Sequence, residues 1–155
     1  MLTIEKLIAV TNENKLAIQA VADIEAIIQP QDTWSYKTLS ELLEQDNIDL
    51  LTVYQGDKIV GYCLYQTVFE RAEILRIGTH TKHQRQGIAS QLFIELNNEL
   101  QDNKVESLLL EVRADNVPAI ALYERQGFNI IHRRSGYYQQ PHQPAVDALI
   151  MQLAI

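Results

Sequence analysis

Between Gln84 and Ser90 the chain reads Gln84-Arg85-Gln86-Gly87-Ile88-Ala89-Ser90, with a β-rich run ahead of it and an amphipathic helical pattern directly behind. A strand, a tight polar turn and a helix in that order point to an α/β arrangement, because the helix must turn its apolar side back onto the sheet. The same turn places free backbone N–H groups and the positive end of a helix dipole at one spot, a ready site for an anion. Gly87 lets the backbone approach an anion with no Cβ in the way, Ala89 is the next smallest choice, and Arg85 adds a charge that can reach phosphate. On its own the motif also reads as an ordinary strand-to-helix connection.

The remaining pattern alternates in the same way. Asn14 to Ile28 carries Leu16, Ile18, Val21, Ile24, Ile27 and Ile28 at helical spacing and stops at Pro30; Ser35 to Gln45 reads as a second short helix capped by Ser35. Asp49–Tyr54 and Ile59–Val68 are strands around the hairpin signal Gln55-Gly56-Asp57-Lys58, and Glu73–Thr79 is a third strand. Gly87–Gln101 is amphipathic with Ile88, Leu92, Phe93, Leu96 and Leu100 inward, and Ser107–Val112 is a buried strand. Pro118–Gln126 is a short helix with Gly127 just past its end, and Phe128–Arg134 and Ala148–Leu153 are closing strands.

Length and composition narrow the function classes. At 155 residues, 46% hydrophobic, the chain is expected to form a single domain spanning residues 1–155. No apolar run approaches bilayer length, and Met1-Leu2-Thr3-Ile4-Glu5-Lys6 lacks the layout of a signal peptide. The single cysteine, Cys63, lies in an apolar strand pattern and reads as a buried structural thiol, which suits a cytoplasmic, reducing home. A net charge of −7 argues against generic nucleic-acid binding and suits a basic partner. His80 and His83 have an H-x-x-H spacing but no third ligand nearby, so no metal is expected.

Two further segments carry chemistry. Leu108-Leu109-Leu110-Glu111-Val112-Arg113 ends a leucine run on a carboxylate, which is costly to desolvate unless it sits beside water or a partner. Such a setting tends to raise a carboxyl pKa toward the range of a general base; a solvated strand-end Glu111 paired with Arg113 or a neighbour is the plainer reading. In Asn116-Val117-Pro118-Ala119-Ile120-Ala121-Leu122-Tyr123-Glu124-Arg125-Gln126-Gly127-Phe128, Asn116 can cap the helix or bind an amide-bearing ligand. Tyr123 can bury its ring with the hydroxyl at a cleft. Trp34 either staples the following helix or lines a groove.

Together these segments resemble the GCN-five-related N-acetyltransferases (GNAT), a superfamily that uses acyl-CoA, over essentially the whole chain. The glycine loop, Leu122-Tyr123 and Gly127-Phe128 mark the superfamily, and Glu111-Val112-Arg113 with Tyr137-Tyr138 shortly after Arg133-Arg134 is most similar to the RimI type, which acetylates the N-terminal alanine of small-subunit ribosomal protein eighteen. The resemblance implies an α/β (α+β) fold with a mixed, mostly antiparallel, splayed sheet flanked by helices on both faces. It implies acetyl-CoA as cosubstrate, its pyrophosphate cradled by Arg85, Gln86, Gly87, Ile88, Ala89 and Ser90. Ile77, Gly78 and Thr79 would pair with the pantetheine amides and Asn116 with the cofactor arm, Glu111 would be the general base and Tyr123 the general acid. The partners implied are acetyl-CoA and a basic protein N-terminus, with neither nucleic acid nor membrane.

The chemistry agrees with that assignment. An α-amine, with a pKa of roughly 7.7–8.0, costs about 1 kcal/mol to deprotonate at pH 7, whereas lysine at about 10.4 costs about 4.6 kcal/mol. One carboxylate acting through water therefore suffices for an N-terminus. The sequence departs from the family where Gly78 and Thr79 stand in place of the usual Ala and Val, and where His80-Thr81-Lys82-His83 replaces an Asp-Pro turn. Ser135-Gly136 lengthens the approach to Tyr137, and Val146 stands where an acid is usual. Arg134–Pro144 is expected to be a long polar loop in which Tyr137 and Tyr138 help bind the acceptor. An enzyme of the same fold acting on a small amine or a lysine, and a non-catalytic acyl-CoA sensor, are the alternatives.

Overall fold

A computed structural model describes residues 1–7 and 10–155. The elements run β1 (Leu2–Leu7), α1 (Lys15–Ile28), α2 (Tyr36–Leu43), β2 (Ile48–Gln55), β3 (Lys58–Val68), β4 (Arg71–Thr79), a 3₁₀ turn (Thr81–His83), α3 (Ile88–Asp102), β5 (Ser107–Arg113), α4 (Val117–Arg125), β6 (Asn129–Tyr138) and β7 (Val146–Ala154). The strands form one sheet in the order β1-β2-β3-β4-β5-β7-β6, antiparallel throughout except for β4 beside β5. That parallel pair is short. Only Arg71–Glu73 and Ser107–Leu109 are in register, and beyond them the two strands part.

Each face of the sheet carries its own core. On one, α3 sets Ile88, Leu92, Phe93, Leu96 and Leu100 against Cys63, Tyr65, Leu108, Leu110 and Val112, with α4 alongside through Ala119, Ile120 and Tyr123. On the other, α1 and α2 set Ile18, Val21, Ile24, Leu39 and Leu43 against Leu50, Tyr62 and Leu64. The helix ends are those their residues favour: Ser35 Oγ accepts from Thr38 N–H at 3.2 Å, and Asn116 Oδ1 from Ala119 N–H at 3.3 Å.

Three features differ from the sequence reading. The chain begins with an edge strand, β1, paired to β2, where no element was expected. On α1, Leu16 and Ile27 stand exposed beside a groove of about 430 Å³ that Tyr54, Lys58 and His80 also line, while Glu25 is buried. Strand β6 runs on to Tyr138, so Tyr137 and Tyr138 belong to a strand and not to a loop. The cause is a bulge between Arg134 and Tyr138, in which Gly136 takes φ +59° and the register against β7 shifts before Tyr138 pairs with Val146.

Candidate active site

The parting of β4 from β5 is the centre of the site. Ile77, Gly78 and Thr79 pair with Cys63, Tyr62 and Gly61 of β3, and past Glu73 the opposite edge of β4 has no strand partner among the described residues. Its peptide groups are left open to a ligand. Gly78 is required by packing: a Cβ built there would lie 2.3 Å from Ile28 Cδ1 and 2.7 Å from Tyr62 Oη. An alanine here would press on Ile28 and on the tyrosine hydroxyl across the strand pair.

At the end of β4 the chain passes through the 3₁₀ turn into the first turn of α3. Arg85 and Gly87 both adopt the left-handed conformation, with φ 64° and 80°, and Gly87 occupies the N-cap with no side chain accepting from the turn that follows. A Cβ at Gly87 would meet nothing within 4 Å, so the space above the N–H groups of Ile88, Ala89 and Ser90 is open. Gln126, at the end of α4, donates from Nε2 to Ser90 Oγ at 3.2 Å and ties the two helices together beside the turn.

Glu111 projects from β5 on the face opposite Leu108, Leu110 and Val112, hence toward the α1/α2 side. Its partner is not Arg113, which forms a two-pronged pair with Asp115 at 3.0 Å through both Nε and Nη2. Tyr138 Oη instead donates to Glu111 Oε1 at 2.9 Å. Burial first, and the Glu111 carboxylate second, raise the Tyr138 pKa above the ordinary phenol value, so the hydroxyl keeps its proton for this bond. Tyr137 packs edge-on against Tyr138 with ring centroids 5.3 Å apart, and Arg113 lies over the Tyr138 ring at 5.1 Å. The bulge that aims Tyr138 is held by Asp147, which accepts from Gly136 N–H at 2.7 Å and from Arg133 Nε at 2.6 Å.

On the other face, Tyr123 joins Phe93 and Phe128 in an edge-to-face trio with centroid separations of 5.7–6.1 Å. Burial is the larger cause and Cys63 the smaller in pushing the Tyr123 pKa up to about 12. Its hydroxyl has no hydrogen-bond partner among the described residues. Cys63 is buried beneath the trio, and its thiol pKa is raised by burial alone. His80 and His83 meet edge-on at 5.7 Å, and His80 Nδ1 accepts from Lys82 N–H. Among the described residues no group of three or more His, Cys, Asp or Glu could hold a metal ion.

The model of the acetyltransferase (GNAT) family matches residues 18–128. The chain belongs to that family. It is 36% identical over 122 residues to the ribosomal protein bS18-alanine N-acetyltransferase of Escherichia coli K12, covering 79% of this chain and 81% of that one. To the enzyme of the same name in Salmonella typhimurium it is 34% identical over 149 residues, 92% and 98% of the two chains. A crystal structure of the Escherichia coli ribosomal protein S18-alanine N-acetyltransferase superposes with a TM-score of 0.82 at 31% identity, covering 100% of this chain and 94% of that one. Ard1 from Thermoplasma volcanium shares the fold, with a TM-score of 0.83 at 21% identity over 99% and 97% of the chains.

This GNAT chain is therefore an acetyl-CoA-dependent N-acetyltransferase with the splayed sheet of its family. Its residues fit the cosubstrate: the open edge of β4 suits amides, and the uncapped turn at Gly87 suits a pyrophosphate. Asn116 spends its side-chain oxygen on the α4 cap, which leaves its amide nitrogen for a ligand. Sequence reasoning missed the bond from Tyr138 to Glu111, because the bulge that creates it depends on Gly136 and Asp147 meeting across two strands. No helix among the described residues is long and apolar enough to cross a membrane.

Proposed function

We propose that this acetyltransferase moves the acetyl group of acetyl-CoA onto the α-amine of the N-terminal alanine of small ribosomal subunit protein bS18. The observation that carries the proposal is the position of Glu111, a partly exposed carboxylate at the parting of β4 and β5 that accepts the Tyr138 hydroxyl. Glu111 takes the amine proton, directly or through water, the new N–C bond forms as the C–S bond breaks, and Tyr123 protonates the departing thiolate. With its pKa near 12, Tyr123 holds a proton to give at neutral pH. No covalent enzyme intermediate is needed, and Cys63 is too buried to supply one.

Three supports favour a protein N-terminus. The relatives named above are alanine N-acetyltransferases. The edge-on rings of Tyr137 and Tyr138 offer rigid apolar walls and hydroxyls to an extended peptide. The net charge of −7 suits a basic ribosomal protein, and the reading takes the reaction to be cytoplasmic, with neither nucleic acid nor membrane as a partner. The test incubates the chain with acetyl-CoA and a peptide carrying the bS18 N-terminus and reads the site of modification by fragment mass. Acetyl on the terminal alanine is expected. Acetyl on internal lysines alone, or only on a small amine, overturns the proposal.

A further inference from the structure

One buried polar cluster has no part in the reaction just described. Glu25 of α1 is 1% exposed and Tyr62 of β3 is fully buried, and the Tyr62 hydroxyl donates to Glu25 Oε2. Trp34 N–H donates to Glu25 Oε1 at 3.1 Å, and Arg76 of β4 brings Nε to 3.7 Å from the same oxygen. From there the Arg76 guanidinium reaches outward. Its Nη2 donates to the Asp32 carboxylate at 2.8 Å and to the Asp32 carbonyl at 2.9 Å, while its plane lies over the Trp34 ring at 4.2 Å. One side chain thus holds the α1–α2 connection, residues 29–35, at both its backbone and its side chains. The far side of that connection touches the β6–β7 loop, where Gln140 Nε2 donates to Gln31 Oε1 at 3.3 Å.

Arg76 and Glu111 lie on the same face of the sheet, on the two strands that part. Arg76 meets α1 and its loop, and Glu111 points away from the α3/α4 core. On that face Arg76 holds the α1–α2 connection and Tyr138 bonds Glu111, and the two segments meet where Gln140 donates to Gln31. Building on the proposed function, we infer that Arg76 is a positioning residue for the acceptor: by bridging Glu25 and Asp32 it holds the α1–α2 connection as the fixed wall of the acceptor slot. A lysine cannot do the same, because Arg76 meets Glu25 through Nε and Asp32 through Nη2, and an ammonium offers one nitrogen where the guanidinium offers two in a fixed plane.

The design of the test follows from the burial of Glu25. Arg76→Met leaves that carboxylate without its cation, which destabilises the fold whatever Arg76 does for the acceptor. The double variant Glu25→Gln/Arg76→Met removes both charges and keeps the bonds to Trp34 and Tyr62 within reach of the amide. Melting temperature, acetyl-CoA affinity by calorimetry, and acceptor KM and kcat are measured for both variants and for Arg76→Lys. The acceptor is the bS18 N-terminal peptide; if the wild type does not turn it over, the proposed function fails and the kinetics are run on whichever of spermidine or N-acetyl-lysine-amide it does accept. The expected result is an acceptor KM raised about tenfold in all three variants, with kcat and acetyl-CoA affinity close to wild type. The double variant recovers melting temperature but not KM. Recovery of KM together with stability, or loss of acetyl-CoA affinity in step with KM, overturns the inference and reduces Arg76 to a structural ion pair.

Discussion

Gly78→Ala is the sharpest probe of the packing behind the site. The added methyl would stand 2.3 Å from Ile28 Cδ1, 2.7 Å from Tyr62 Oη and 2.9 Å from Tyr62 Cζ. Ile28 ends α1 and is only partly buried, so its terminal methyl can swing aside. Tyr62 cannot: it is fully buried, and its hydroxyl is held by Glu25. Overpacking of this kind costs about 1–3 kcal/mol. Displacing the hydroxyl from a charged acceptor adds about 1.5–3 kcal/mol if the bond breaks. Urea unfolding should therefore show a loss of about 1–3 kcal/mol if the bond holds and about 2.5–6 kcal/mol if it breaks. Tyr62→Phe alone should cost about 1–3 kcal/mol, because the Glu25 carboxylate loses a donor. In the Tyr62→Phe background, Gly78→Ala should cost less than in the wild type by about 1 kcal/mol, since the hydroxyl it strikes is gone. A Gly78→Ala variant within 0.5 kcal/mol of wild type, a margin typical of a site that makes no special contact, would refute the packing account. So would an equal cost in both backgrounds.

Glu111→Gln should slow turnover roughly 10²–10⁴-fold with acetyl-CoA affinity intact, and activity should partly return at high pH as the amine loses its own proton; a wild-type rate at neutral pH removes Glu111 from the role. Tyr123→Phe keeps the ring in its trio with Phe93 and Phe128, so stability should hold while turnover falls. That variant should grow more sensitive to the leaving-thiol pKa across a series of acyl donors, and equal sensitivity in both proteins would leave Tyr123 a packing residue. Asp147 has its pKa lowered by the Gly136 N–H first and Arg133 next, so its contribution is fully present above the ordinary carboxylate value of 3.8 and is lost as pH falls through the lower folded value. The stability gap between wild type and Asp147→Asn should accordingly be constant above about pH 5 and close on the acid side; a gap that widens there contradicts the assignment.

Much of the architecture was legible because apolar spacing and turn chemistry act locally. The inward face of α3, the Ser35 and Asn116 caps and the glycine turn before α3 all follow from a few adjacent residues. The misses are long-range. Leu2 and Ile4 alternate with polar neighbours as an edge strand does, but six residues beside a turn carry little weight until β2 is there to pair with them. Nothing in the helical pattern around Glu25 marks it as buried, and only Tyr62 and Arg76, 37 and 51 positions away, explain its burial. At the site, the loop motif and the residues Glu111 and Tyr123 could be singled out from sequence. The Tyr138 hydroxyl on Glu111 could not, because a bulge moved the expected loop into β6.

The short pairing of β4 with β5 bears on how such a protein can change over time. Where the strands part, the edge of β4 offered to a ligand is main chain, and peptide groups are the same whatever residue carries them. Substitution at Gly78 or Thr79 can then answer to the packing behind the strand while leaving the hydrogen-bonding edge in front untouched. Two selective pressures are separated onto two sides of one strand. The acceptor side as proposed has no such insulation, since it would be built from the side chains of Trp34, Glu111 and Tyr138. Drift in the chain is thus free to retune which amine is chosen long before it disturbs which acyl donor is used.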